Sequence, residues 1–152
     1  LLKSFTKLFA MPGIRLGYLL TANEALICQA EQAGQAWGMS CVAESAGIAA
    51  AKAHDDWAAQ TSRAIRPLRE KLKTGLEALG FSVKNGQANF LCFHAPGYPD
   101  LEQRLLQKQI LLRSCGNYEG LGPEDYRTAV RTDTENARLL QALKEITGEE
   151  HR

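Results

Sequence analysis

Residues 4 to 18, SFTKLFAMPGIRLGY, set one lysine, Lys7, among hydroxyls, a Pro-Gly turn and an arginine. A lysine amine is a poor nucleophile while protonated. One in a partly desolvated, cation-rich pocket gives up its proton more readily and condenses with an aldehyde as a Schiff base. Ser4 stands three residues before Lys7 and Arg15 eight after, with Pro12-Gly13 between them to turn the chain and let backbone approach a ligand. A hydroxyl and a guanidinium suit a phosphate: the first donates one hydrogen bond and the second grips two oxygens at once, which another lysine would do less well.

A cofactor that carries both an aldehyde and a phosphate is pyridoxal phosphate. The segment resembles the Schiff-base stretch of the fold-type I pyridoxal-phosphate enzymes of the class I/II aminotransferase group, S-x-[ST]-K followed by P-G-x-R-x-G-[YF]. Ser4, Thr6, Lys7, Pro12, Gly13, Arg15, Gly17 and Tyr18 all fit. The resemblance makes Lys7 the Schiff-base lysine. It has Ser4 and Arg15 hold the cofactor phosphate and puts Thr6 in the same site. A lone lysine is more often a solvated surface residue; the full run with its spacing argues against that reading.

The elements that must position these residues belong to a globular composition, 45% hydrophobic and 23% charged over 152 residues. Eighteen basic against seventeen acidic residues leave a net charge of +1, far from the basic field that neutralises several nucleic-acid phosphates. No apolar run approaches a membrane span and no secretory leader precedes the motif, so the chain reads as soluble and cytoplasmic. Cysteines 28, 41, 92 and 115 form no C-x-x-C pair and read as reduced thiols, with Cys92 a small core residue and Cys115 near a site. His54, Asp55 and Asp56 fit a helix start better than a metal site, and no metal is assigned. The chain opens on Leu1-Leu2 with its most informative segment at once, and so reads as the back part of a longer protein. In the family, the preceding part supplies the aromatic stacked on the cofactor ring and the aspartate at its nitrogen. On that ground this chain alone is expected to be catalytically silent.

Residues 16 to 21 suit a buried strand. A helix capped by Asn23 follows, with Ala25, Leu26, Cys28, Ala30 and Ala33 as a close-packing face, and ends near Gly34. An alanine-rich helix runs from Ser40 to Ala53. A long helix from Asp55 or Asp56 to Gly80 carries Ile65, Leu68, Leu72, Leu76 and Leu79 on one face, with a kink or restart at Pro67. The period then shifts to strands over 81 to 83 and 88 to 94. Asp100 starts a helix with Leu101, Leu105 and Leu106 buried, and strands at 110 to 114 and 126 to 131 flank a glycine-rich loop. The last helix opens on a Thr132/Glu135 capping box and buries Leu139, Leu140, Leu143 and Ile146. The fold class is α/β. By the resemblance the chain is the C-terminal part of a fold-type I transferase, with residues 1–53 the end of the large cofactor-binding domain and 54–152 an α/β small domain.

In YRTAVR, period-two geometry puts Arg127, Ala129 and Arg131 on one face and Tyr126, Thr128 and Val130 on the other. Arg113 joins them if its strand is a neighbour; the plain alternative is a solvated arginine face on an edge strand. The family binds the substrate α-carboxylate with an arginine on a small-domain strand, which makes Arg127 the first candidate and Arg131 and Arg113 the next. More narrowly, LLRSCGNYEGLGPEDYRTAVRT looks like the threonine-phosphate decarboxylases of cobalamin synthesis, relatives of the histidinol-phosphate aminotransferases. That resemblance implies a small phosphorylated amino acid as substrate and a homodimeric intact enzyme. It leaves open decarboxylation, transamination, or a non-catalytic module made from the same fold.

Overall fold

The computed structural model describes residues 1–149. The side chains of His54, Asp55 and Glu149 are outside that description, and with them the expected carboxylate cap at Asp55 and the His54 cluster. The chain divides into two compact units, Leu1–Ser62 and Arg63–Arg152.

In the first unit, β1 (Leu2–Ser4) pairs antiparallel with β2 (Gly17–Leu19) and the helical turn α1 (Phe5–Leu8) follows β1 directly. The strand expected over 16 to 21 is therefore shorter. It is exposed, not buried, because among the described residues it pairs with β1 alone, in a two-stranded sheet. Helix α2 (Glu24–Ala33) begins where Asn23 accepts a hydrogen bond from the Leu26 amide, 3.1 Å. It buries none of its residues, so the close-packing face of Ala25, Leu26, Cys28, Ala30 and Ala33 is exposed. Helix α3 (Cys41–Lys52) is capped by Ser40, whose hydroxyl accepts from the Ala43 amide at 3.1 Å. Its small residues Ala43, Gly47 and Ala50 fall at helical spacing, and Gly47 leaves room for Leu16: a Cβ there would stand 2.6 Å from the leucine Cδ2.

Helix α4 (His54–Ala78) contains the division between the units and runs unbroken through Pro67, with no restart. Pro67 is exposed, and a proline removes only one donor from a helix of this length. In the second unit Leu72 and Leu76 of α4 are fully buried. The helix stops at Gly80, whose φ of +85° allows the Phe81 amide to reach back to the Leu76 carbonyl, 3.3 Å.

The second unit holds a four-stranded antiparallel sheet in the order β3-β4-β6-β5, from β3 (Ser82–Val83), β4 (Phe90–His94), β5 (Arg113–Ser114) and β6 (Asp125–Ala129). Leu91 and Phe93 of β4 and Tyr126 and Thr128 of β6 face the core. There they meet α4, α5 (Leu101–Gln107) and α6 (Asp133–Glu149) through Leu101, Leu105, Leu139, Ala142, Leu143 and Ile146. Phe81, Phe93 and Tyr126 form a chain of ring contacts, 5.6 and 5.8 Å between centroids. Leu106, expected in the core, is 55% exposed, since it lies about 100° round the helix from Leu105. The strand expected over 110 to 114 shrinks to its last two residues, and Leu111 is exposed. Cys92 lies on the face away from the core and is half-buried, whereas Cys115 is the buried thiol and burial pushes its pKa up. No described helix is long and apolar enough to cross a membrane.

The capping box at the head of α6 forms as the spacing predicts: the Glu135 amide donates to Thr132 Oγ1 (3.4 Å) and the Thr132 amide donates to Glu135 Oε2 (3.3 Å). Hydrogen bonds from Arg131 and then Thr132 lower the Glu135 pKa from 4.5 to about 2. A carboxyl depressed in the folded state contributes stability above its ordinary pKa and loses it as pH falls through the folded value. Urea midpoints of the native chain and Glu135→Gln, taken from pH 7 down to pH 2, are therefore expected to converge between about 4.5 and 2. A gap that stays constant over that window would show that Glu135 contributes nothing through its charge.

Candidate active site

Lys7 sits on α1, a single helical turn held at both ends. At its start Ser4 Oγ accepts from the Thr6 amide at 3.2 Å and lies 2.9 Å from Thr6 Oγ1, which accepts its proton. At its end the indole Nε1–H of Trp57 donates to the Leu8 carbonyl. The hairpin fixes what lies beside it: Ser4 is directly opposite Gly17, and the Phe5 amide donates to the Leu16 carbonyl at 3.1 Å. Gly17 is required at that register, because a Cβ would stand 2.7 Å from the Lys3 carbonyl oxygen, a backbone atom that cannot swing aside. Tyr18 packs edge-on to Phe5, 6.0 Å between centroids, and Phe5 stacks on Phe9 at 5.2 Å.

Arg15 has φ +58°, a left-handed conformation that costs a non-glycine residue about 1 kcal/mol or more, and its guanidinium donates to the Pro12 carbonyl at 2.9 Å. Ser4, Thr6, Lys7 and Arg15 thus share one short hairpin excursion. Lys7 and Arg15 are exposed, so the described residues do not supply the burial expected around Lys7. A cavity of about 490 Å³ adjoins the turn, lined by Lys3, Ser4, Phe5, Leu8, Phe9, Tyr18 and Ala51, and Lys7 is not among its walls.

In the second unit, β6 is an inner strand between β4 and β5, not an edge. Arg127 is opposite Cys92 on one side and Arg113 on the other. Directly paired residues of antiparallel strands share a face. The two guanidiniums therefore stand on the face away from the core, and no described carboxylate forms an ion pair with either. Arg131 lies beyond β6, which ends at Ala129. Its fork is taken up by Glu135, at 2.6 and 2.7 Å, and its amide by Asn136 Oδ1 at 3.0 Å. Four contributors escape a reading of the sequence alone. Trp57 reaches Leu8 across 49 positions, and Phe90, Tyr118 and Asn117 approach the arginines through strand register and loop closure, which leave no periodic trace.

The family model for "Aminotransferase class I and II" matches residues 1–143. The threonine-phosphate decarboxylase of Salmonella typhimurium is 35% identical over 147 residues, which cover 95% of this chain and 40% of that protein. The crystal structure of the histidinol-phosphate aminotransferase from Clostridium acetobutylicum superposes with a TM-score of 0.89 at 30% identity, over 97% of this chain and 45% of that one. At the level of fold, the Sinorhizobium meliloti histidinol-phosphate aminotransferase in complex with pyridoxal-5'-phosphate superposes with a TM-score of 0.78 at 22% identity, over 97% of this chain and 41% of that one. The chain spans less than half the length of each.

The capping role of Ser4 is open to a direct check. Ser4→Ala removes an N-cap, a loss of about 1 kcal/mol that corresponds to about fivefold in an opening equilibrium. Amide exchange at Thr6 is expected to speed up by about that factor, with exchange in α6 unchanged. Equal rates at Thr6 in both proteins would show that the turn is held without the serine.

Proposed function

The chain belongs to the class I and II aminotransferase family, and on that premise we propose that it carries the lysine and the anion-binding arginines of a pyridoxal-phosphate enzyme. The reading that the sequence similarity favours is decarboxylation of L-threonine O-3-phosphate to aminopropanol phosphate, a step of cobalamin synthesis. The observation that carries the cofactor assignment is the hairpin that groups a lysine, a hydroxyl and a guanidinium within one excursion, with Gly17 keeping the strands close. Residues 1–53 are read as the end of the large domain and 54–152 as the small one. The intact enzyme is read as a cytoplasmic homodimer, on the family resemblance.

When bound, the cofactor would supply an electron sink for the bonds of the substrate α-carbon. This chain's residues do the rest. Ser4 and Arg15 would hold the cofactor's phosphate and Lys7 would hold the cofactor through its aldehyde; Lys7 Nζ would also hold or move a proton at the substrate α-carbon. Arg127, with Arg113 beside it, grips the substrate anions and so sets which bond is presented. Arg131, engaged by Glu135, takes a lesser part.

Transamination of the histidinol-phosphate type is the second reading, favoured by the close superposition on the clostridial aminotransferase. Product analysis separates the two. With L-threonine O-3-phosphate, the holoenzyme is expected to release carbon dioxide and an amino alcohol phosphate; a keto product with aminated cofactor would establish the alternative. Arg127→Ala is expected to raise KM roughly ten- to a hundredfold while cofactor stays bound, and Arg131→Ala to change it much less. Equal effects of the two substitutions would refute this division of roles.

A further inference from the structure

We propose that Phe90 is a positioning residue that holds the Arg127 guanidinium as an uncompensated cation for a substrate phosphate or carboxylate, with Tyr118 and Asn117 doing the same for Arg113. This inference rests on the reading of the arginine pair given above.

Arg113 and Arg127 are direct cross-strand partners. Like charges directly opposite each other are unfavourable, so the pair works against the stability of the sheet. Several other cations of the unit are met by carboxylates: Arg131 by Glu135, Lys108 by Glu145, Lys71 by Asp133. The two sheet arginines instead meet aromatic rings. The Arg127 Cζ lies 5.1 Å from the Phe90 ring centre and the Arg113 Cζ 5.7 Å from that of Tyr118, and Arg113 Nη2 donates to Asn117 Oδ1 at 3.0 Å.

The difference is chemical. A carboxylate neutralises the guanidinium and occupies its in-plane N–H groups, as Glu135 does to Arg131. An aromatic face attracts the cation through its quadrupole without cancelling the charge, and a guanidinium packed against it keeps in-plane donors for an incoming oxyanion. Register supplies the contact: Phe90 is two residues before Cys92, the partner of Arg127, which makes it the diagonal neighbour on the same face. Phe90 remains 37% exposed, a cost for an apolar ring that the core does not explain.

The test is a titration of the full chain with O-phospho-L-threonine, followed through the arginine Nε–Hε resonances. Phe90→Leu is expected to weaken binding about two- to fivefold, and Phe90→Trp, with the stronger quadrupole, to match or exceed the native chain. Phenylalanine carrying one, two or three ring fluorines at position 90 keeps the shape, so a graded weakening with fluorination decides the matter even if Phe90→Leu does not fold. Binding that ignores fluorination overturns the inference while leaving the arginine pair in place. Binding that survives Arg127→Ala overturns the underlying reading instead.

Discussion

Strand β6 is hydrogen-bonded on both sides, and that one constraint sets most of what the second unit can do. Pairing with β4 and β5 fixes its pleat, so Tyr126 and Thr128 must point into the core and Arg127 must point away. A slip of one residue would bury a guanidinium and expose Tyr126. Tyr126 makes that slip costly in another way. Its hydroxyl donates to the Tyr98 carbonyl at 2.8 Å and accepts from the Leu101 amide at 3.2 Å, which fastens the start of α5 to the sheet. Burial pushes the Tyr126 pKa up, so the phenol stays a donor through neutral pH. The side chain of Asp100 makes no cap bond to α5, and its carboxylate pairs with Arg104 at 2.8 Å.

The hairpin plays the corresponding part in the first unit on a much smaller scale. Three register pairs bring Ser4 opposite Gly17, and the one-turn helix is capped by the same serine. Such a device is too short to be stable by propensity. It depends on Gly17 for the approach of the strands, on Trp57 to donate to the carbonyl at the end of the turn, and on Arg15 adopting a strained backbone. Strain at a residue that the motif singles out fits its use as a ligand-holding position.

The sequence carried the long-period information well. The stripe of Leu72 and Leu76, the caps at Asn23 and Ser40, the Thr132/Glu135 box and the alternation of Tyr126, Arg127 and Thr128 each leave a local pattern, and each is found. The misses share a cause in contacts made across the chain. Pro67 suggests a restart that α4 does not make, and β6 ends at Ala129, opposite the first residue of β4, two residues short of Arg131. The exchange of roles between Cys92 and Cys115 has the same origin: an apolar run names a strand but does not say which of its faces is covered. The Lys7 motif is legible because its residues stand at fixed local spacing, whereas the aromatic contacts of Arg113 and Arg127 arise from strand register and loop closure.

The account turns on which amine meets the aldehyde, and two are close to the hairpin: Lys7 on the turn and Lys3, which lines the adjoining cavity. Sodium borohydride reduction of the protein with pyridoxal phosphate, followed by peptide mass mapping, distinguishes them. The account predicts the pyridoxyl group on Lys7; a label on Lys3 or on another lysine, with Lys7 unmodified, would contradict it.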